Sequence, residues 1–258
     1  MDAAKPVLEV QSLTRRFGGL TAVNELSFSV EPLEIRGLIG PNGAGKTTTF
    51  NVISGFYAPT SGRVIYDGRD ISGLKTCTIA ELGLVRTFQT TTLFQEFTVL
   101  QNALVGCHLQ ARDHLLNTLL NRNGGRERGA EDKAREVLDF FGLLDRADEL
   151  ASNLPHGLQR ALGMAVAVVA DPKVLLLDEP FTGMNPEETR HMMDLVRRVR
   201  DKGVTVLLVE HDMQAVMGLC DRITVLNFGQ LLTEGAPDEI RRHPEVIEAY
   251  LGTVGGAA

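Results

Sequence analysis

The sequence contains no tryptophan, only three tyrosines and only three cysteines in 258 residues, and aromatic residues make up 5% of it. Cys77, Cys107 and Cys220 are widely separated and form no C-x-x-C pair. That spacing argues against a disulfide frame or a thiolate metal site and for reduced cytosolic thiols. There is no basic excess either: the net charge is −7, whereas a general nucleic-acid binder carries a surplus of Lys and Arg. No nucleic-acid partner is expected. The longest apolar run, Met164 to Ala170, falls far short of the roughly 20 residues a membrane-crossing helix needs. Met1 to Pro6 has neither the charged nor the apolar region of a signal peptide. What remains is an ordinary globular composition, 43% hydrophobic and 23% charged, with enough chain for one large or two small domains.

Glycine, by contrast, is concentrated where it matters. Gly40-Pro41-Asn42-Gly43-Ala44-Gly45-Lys46-Thr47 fits the phosphate-loop pattern G-x-x-x-x-G-K-[ST]. Such a loop turns its backbone N–H groups inward around a phosphate, and a Cβ would obstruct the wrap. Lys46 supplies a mobile positive charge, and the Thr47 hydroxyl is a candidate Mg²⁺ ligand. Ile35 to Ile39 reads as a short buried strand before the loop, and Lys46 to Ile53 as the helix after it. The N-terminus of that helix adds partial positive charge where phosphates would lie.

Along the chain, Val7 to Val10 and Leu26 to Val30 alternate like strands. Between them, Arg15-Arg16-Phe17-Gly18-Gly19 reads as a loop with one aromatic. Arg63 to Tyr66 is a strand that turns at Asp67-Gly68. From Val99 to about Asn153 no strand is convincing, and apolar residues recur at helical spacing. One stripe is Leu115, Leu116, Leu119 and Leu120. Another is Val137, Leu138, Phe140, Phe141 and Leu144, and Arg122 to Gly129 is a glycine-rich break between them. Both stripes read as core. Alternation of strand and helix returns with Val174 to Leu177, a buried parallel strand. A helix from Glu187 to Lys202, a strand from Val204 to Val209 and a helix from Met213 to Cys220 follow. Ile223 to Asn227 and Gln230 to Glu234 are strands turning at Phe228-Gly229, and two short helices finish the chain.

The strand ending Leu175-Leu176-Leu177-Asp178-Glu179-Pro180 carries two acids at its mouth. Paired carboxylates there are costly without a cation, so they suggest a site. Asp178 suits the Mg²⁺ shell, and Glu179 could orient or deprotonate an attacking water. His211 follows the next strand, on the side where open α/β sheets hold ligands. Gln89 ends the strand-like run Leu84 to Gln89. By chemistry alone, His211 and Gln89 read equally well as structural residues.

Taken in order, these motifs resemble the nucleotide-binding subunits of ATP-binding cassette (ABC) transporters over essentially the whole chain. Gly40 to Thr47 matches Walker A, with Thr48 following. Gln89 matches the Q-loop, Val174 to Asp178 Walker B, Glu179 the catalytic glutamate and His211 the switch histidine. Phe17 stands where the family places an aromatic against adenine, and Thr182-Gly183-Met184-Asn185 occupies the D-loop. The resemblance implies an α/β fold: a P-loop NTPase (RecA-like) core, an N-terminal antiparallel β subdomain and an inserted helical subdomain. Residues 1–258 would form a single nucleotide-binding domain with the insert at about 91–170. It implies ATP and Mg²⁺ as cofactors, with Thr47, Gln89 and Asp178 around the metal and Glu179, His211 and Gln89 in hydrolysis. The signature motif departs from the family's L-S-G-G-Q, reading Leu154-Pro155-His156-Gly157-Leu158. In the family this motif closes over ATP held by the opposite subunit. Pro155 has neither a hydroxyl nor an N–H to offer it, so a weaker clamp on the partner's ATP is expected.

Gly37 to Thr48, Val85-Arg86-Thr87-Phe88-Gln89, Gly183-Met184-Asn185-Pro186, Val209 to Met213 and Pro244 to Gly252 are similar to a narrower group, the ATPase subunits of branched-chain amino acid importers. Leu33, where a turn glycine is usual, and Leu158 depart from it. The resemblance implies a second ABC ATPase subunit, identical or different, and two transmembrane permeases fed by an extracytoplasmic substrate-binding protein. The subunit would sit at the cytoplasmic face of the membrane. Permease contact is expected at Thr92, Leu93, Phe94 and Phe97. Importers of amides, urea-like molecules or aromatic acids, a lipopolysaccharide exporter and a soluble non-transport ABC ATPase are the alternatives.

Overall fold

The computed structural model describes residues 5–87, 93–107 and 123–251. Alternating burial brings the first strands together: β1 (Leu8–Phe17) and β2 (Leu20–Val30) pair antiparallel, with Leu8 opposite Val30 and Val10 opposite Phe28. β4 (Ser61–Tyr66) adds to the other edge of β1, and β5 (Arg69–Asp70) pairs with β4, giving the order β2-β1-β4-β5. Arg15 to Gly19, read from sequence as a loop, is a strand as far as Phe17. Arg16 and Phe17 pair with Thr21 and Leu20, leaving only Gly18-Gly19 to turn. Cross-strand pairing outweighs the local polar composition here.

The second sheet is built on apolar runs. β3 (Ile35–Ile39), β7 (Val174–Asp178) and β8 (Thr205–Val209) are buried at every position, as strands covered on both faces must be. With β6 (Leu84–Arg86), β9 (Arg222–Asn227) and β10 (Gln230–Gly235) the order is β10-β9-β3-β8-β7-β6. All pairings are parallel except β9 with β10. Because side chains alternate between faces, Leu175, Leu177, Val206 and Leu208 enter one core cluster while Val174, Leu176, Leu207 and Val209 enter the other. The second cluster includes Phe50 and Ile53 of α1 (Lys46–Ile53) and joins the two sheets.

On the first face lie α6 (Pro186–Asp201) and α7 (Met213–Leu219). The same cluster takes in helices from between β6 and β7: α3 (Val99–Cys107), α4 (Asn123–Phe140) and α5 (His156–Val169). A short α2 (Thr76–Glu81) precedes β6. Two short helices, α8 (Pro237–Arg242) and α9 (Pro244–Leu251), end the description. Gly106 lets α3 cross α5 closely, since a Cβ there would lie 2.2 Å from the Val166 carbonyl oxygen. Leu138 and Phe141 are buried, and Val137, Phe140 and Leu144 pack beside them, so this stripe is core as expected. Leu115, Leu116, Leu119 and Leu120 lie outside the described residues. The glycine-rich break expected from Arg122 to Gly129 is already helical at Asn123. Burial of Ala134 and Leu138 further along α4 offsets the roughly 1 kcal/mol that each helical glycine costs.

Two features anchor the edge of the core opposite the strand ends that carry the site. Arg36 is buried within β3, its Nε 2.9 Å from Glu34 and its Nη1 3.3 Å from Glu234 and 3.2 Å from Thr224. Leu33, in the turn before β3, adopts φ 63° and donates its N–H to Thr205 Oγ1 at 2.9 Å.

Candidate active site

β3 ends at Ile39 and the chain turns at once. Gly40 has φ 152°, and a Cβ there would meet the Leu226 carbonyl oxygen at 2.3 Å. Gly45, at φ 98°, is the residue before the first turn of α1, and no side chain caps that helix. Its leading N–H groups therefore face the loop, an arrangement suited to phosphate oxygens. Lys46 Nζ donates to the carbonyls of Gly40 at 2.7 Å and Pro41 at 3.0 Å. Burial lowers the Lys46 pKa, and the charge of Glu179 opposes that shift. Thr47 is exposed and Thr48 half-buried.

Loop and acids come together because β3, β8 and β7 are neighbours in the parallel sheet, which places their C-terminal ends side by side. Asp178 ends β7 and is 2% exposed. Its Oδ2 lies 2.6 Å from Arg86 Nη2, while Oδ1 is buried and has no hydrogen-bond partner. An orphaned carboxylate oxygen at a phosphate loop fits a divalent cation. Among the described residues no cluster of three or more His, Cys, Asp or Glu forms a self-sufficient metal site. Arg86 also donates to Asn51 Oδ1 at 2.7 Å and Ser54 Oγ at 3.1 Å, so it ties β7 to α1. Arg86 carries no motif of its own in the sequence, because its partners lie 35 and 92 residues away.

Glu179 follows in the left-handed region at φ 49°, with its N–H bonded to the Val209 carbonyl at 2.9 Å. Its Oε2 accepts from Thr182 Oγ1 at 3.3 Å and lies 3.9 Å from His211 Nδ1. Glu179 is thus brought beside His211, whose side chain is exposed. Beside His211 sits Glu210, 1% exposed, its Oε2 3.8 Å from His211 Nδ1. Burial raises its pKa, against the pull of N–H groups from Phe181, Asp212 and His211. The sequence by itself gives Glu210 no role. Its place directly after five buried strand residues was the available signal.

The signature residues open α5 beside the D-loop. Leu154 is buried, Gly157 and Leu158 are half-buried, and Pro155 and His156 are exposed at the start of α5. Gln159 Nε2 donates to the Leu154 carbonyl at 2.9 Å. The neighbour of this turn is the D-loop: a Cβ on Gly183 would lie 3.4 Å from His156 Cε1, and one on Gly157 would lie 2.9 Å from Glu188 Oε1. Thr182 and Gly183 lead through Met184 to Asn185, which caps α6 by accepting from Glu187 and Glu188 N–H at 2.9 and 3.0 Å. Asparagine serves well at that position. Phe17 closes β1, with its ring edge-on to Tyr57 at 5.2 Å and the Arg15 guanidinium 4.5 Å from its centroid. Gln89 and Thr92 lie outside the described residues. At the other end, the Tyr250 phenol rests against the Gly40 backbone, joining the C-terminal helix to the phosphate loop.

This geometry defines a P-loop nucleotide hydrolase. The family profile described as ABC transporter matches residues 23–182, and that of the branched-chain amino acid ATP-binding cassette transporter matches residues 230–255. The chain is 46% identical over 252 residues to the high-affinity branched-chain amino acid transport ATP-binding protein LivG of Escherichia coli K12, covering 96% of this chain and 99% of that one. It is 45% identical, with the same coverage, to BraF of Pseudomonas aeruginosa, which bears the same description. A nucleotide-free ATP-binding cassette from an ABC transporter superposes with a TM-score of 0.86 at 32% identity, over 96% of this chain and 100% of that one. A cassette solved in its ADP conformation superposes equally well at 30% identity and the same coverage.

The chain belongs to the ABC transporter family. It is the nucleotide-binding, ATP-hydrolysing subunit of a transporter, a membrane-associated component that works with membrane permeases. Among the described residues no helix is long and apolar enough to cross a membrane.

Proposed function

We propose that this ATPase powers uptake of branched-chain amino acids delivered by an extracytoplasmic binding protein, working from the cytoplasmic face beneath two permeases and beside a second ATPase subunit. The observation that carries the catalytic half is the convergence of Lys46, Asp178, Glu179 and His211 at the ends of three adjacent parallel strands. The substrate half rests on the similarity to LivG and BraF and on the match at residues 230–255.

In this reading the N–H groups from Gly40 to Thr48, with Lys46, hold the phosphates, and Phe17 supports the adenine. Thr47, the free oxygen of Asp178 and Gln89 would hold Mg²⁺, which when bound neutralises charge on the β- and γ-phosphates. Glu179 orients the attacking water and takes its proton, a role worth about 10²–10⁴ in rate. His211 faces the γ-phosphate. Pro155 and His156, exposed beside the D-loop, meet the partner subunit's nucleotide. The domain is a single cassette in which the helices between β6 and β7 form the inserted part.

The segment from Leu93 to Phe97 supports a docking role for that insert. Phe94 and Phe97 are exposed and stack with centroids 5.0 Å apart. Buried Asn102 holds the segment by accepting the Phe94 N–H at 2.9 Å and donating to the Phe94 carbonyl at 3.0 Å. A cavity of about 390 Å³ runs from Phe94 to Arg86 and Asp178, so a permease segment seated there would touch the hydrolytic machinery.

Reconstitution in liposomes with the permeases and binding protein tests the proposal. Leucine, isoleucine and valine are expected to accumulate at the expense of ATP, with Lys46→Ala abolishing both activities. Uptake of an amide or aromatic acid without branched-chain uptake would replace the substrate. ATP turnover indifferent to Lys46→Ala would sink the catalytic reading.

A further inference from the structure

We propose that Glu210 is a positioning residue that locks the loop carrying Glu179 to the loop carrying His211. Its side chain is fully buried at the end of β8. One oxygen, Oε1, accepts the Phe181 N–H at 2.8 Å. The other, Oε2, accepts the N–H groups of His211 at 2.9 Å and Asp212 at 3.2 Å. A single carboxylate therefore receives three backbone donors from two loops that leave adjacent parallel strands. The same strand ends are also joined by the Glu179 N–H to the Val209 carbonyl at 2.9 Å and by the 3.9 Å approach of His211 Nδ1 to Glu179.

A buried carboxylate is a costly device and persists only where its hydrogen bonds are made. Here it does what a neutral side chain of the same shape cannot. A carboxylate presents two acceptor oxygens, whereas an amide presents one oxygen and two N–H donors. Glutamine at this position would turn its amino group towards either Phe181 or the His211–Asp212 pair, setting donor against donor on one side. One of the two loops would then be released. Glu179 sits two residues before Phe181, at φ 49°, and His211 is itself one of the donors, so release of either loop shifts a group of the hydrolytic pair. The phosphate loop and α1 make none of these bonds, so the binding of nucleotide should be untouched.

The inference rests on the roles proposed above for Glu179 and His211. The test is carried out on the full chain in its assembled transporter, with Glu210→Gln, Glu179→Gln, His211→Ala and the Glu210→Gln/His211→Ala pair. ATPase kcat is measured, and affinity is read with fluorescent trinitrophenyl-ATP. Glu210→Gln is expected to lower kcat by at least about tenfold, leave trinitrophenyl-ATP affinity within about twofold, and add little to the loss caused by His211→Ala. An unchanged kcat, losses that multiply in the double variant, or affinity falling in step with kcat would overturn it, the last marking a purely structural residue. Glu210→Asp, which keeps the charge but shortens the reach, gives the same readouts should the amide variant not fold. If Glu179→Gln itself leaves kcat intact, the reading of the site fails; if it lowers kcat and Glu210→Gln does not, this inference alone fails.

Discussion

Arg86 and Asp178 form a buried ion pair at 2.6 Å in which only one carboxylate oxygen is engaged. The guanidinium holds Oδ2 while also gripping Asn51 of α1 and Ser54 just after it, which leaves Oδ1 buried and without a partner. Removing one member of a buried pair strands the other, at a cost of about 3–5 kcal/mol. Arg86→Met should therefore lower the melting temperature by roughly 10 °C for a domain of this size. Mg²⁺ with ATP should recover part of the loss by supplying a new counter-charge. Calorimetry with and without Mg-ATP checks this; an unchanged melting temperature would show that the pair is dispensable.

A second buried cation, Arg36, lies between Glu34 and Glu234. Arg36→Ala leaves Glu34, itself 6% exposed, without its partner and should cost about 3 kcal/mol or more. Arg36→Met with Glu34→Gln removes both charges together and should cost clearly less. Urea unfolding of the three chains gives the comparison. Equal losses for the single and double variants would contradict it.

Leu33 occupies a left-handed turn at φ 63° with half its surface exposed. An L-residue pays roughly 1–2 kcal/mol for that conformation, and glycine's extra freedom in the unfolded chain returns about 0.5–1 kcal/mol of any gain. Leu33→Gly is expected to be neutral to stabilising by up to about 1 kcal/mol, and Leu33→Val destabilising. Denaturant midpoints decide; a destabilising glycine would mean that the leucine side chain makes contacts worth more than the strain.

Pro155 precedes α5 without a side-chain cap. Pro155→Ser restores both a hydroxyl and an N–H, and a serine cap is worth about 1 kcal/mol of stability. In a Glu179→Gln background, ATP should then dimerise the chain with its partner at lower protein concentration, as sedimentation velocity would show. No change in dimerisation would remove the argument that the atypical signature is a weak clamp.

Phe97→Glu places a charge on the stacked pair formed with Phe94. Substrate uptake by the reconstituted transporter should be lost while basal ATPase activity stays near its starting value. Loss of both together, with a lowered melting temperature, would assign the two rings to internal packing.

Much of the nucleotide site was legible because its signals are local. A loop that wraps a phosphate needs glycine at fixed offsets, and the bounds expected for the strand Ile35–Ile39 and the helix Lys46–Ile53 are those observed. Uninterrupted apolar runs announced β7 and β8, and the acid pair Asp178-Glu179 stood out against the first of them. The strand character of Arg15 to Phe17 was not legible, since it comes from pairing with β2 rather than from composition. Nor was the helix beginning at Asn123, where two glycines argue locally for a break. Arg86 and Glu210 escaped for a related reason: a buried charge declares itself through its partners, and Asp178 lies 92 residues from Arg86 while Phe181 lies 29 from Glu210.

The amino-acid order alone thus determined that Gly40 to Thr47 carries the phosphate-loop pattern between a buried strand and a helix, and that Asp178 and Glu179 stand at the mouth of a buried strand. Backbone sterics and the period of burial act over a few residues, and they can be read there. Only the tertiary structure decided which groups meet: that β3, β8 and β7 lie side by side, that His211 comes within 3.9 Å of Glu179, and that one oxygen of Asp178 is held by Arg86 while the other is left unpartnered. Those meetings follow from the order in which strands enter the sheet, and strand order is settled by the packing of the whole domain.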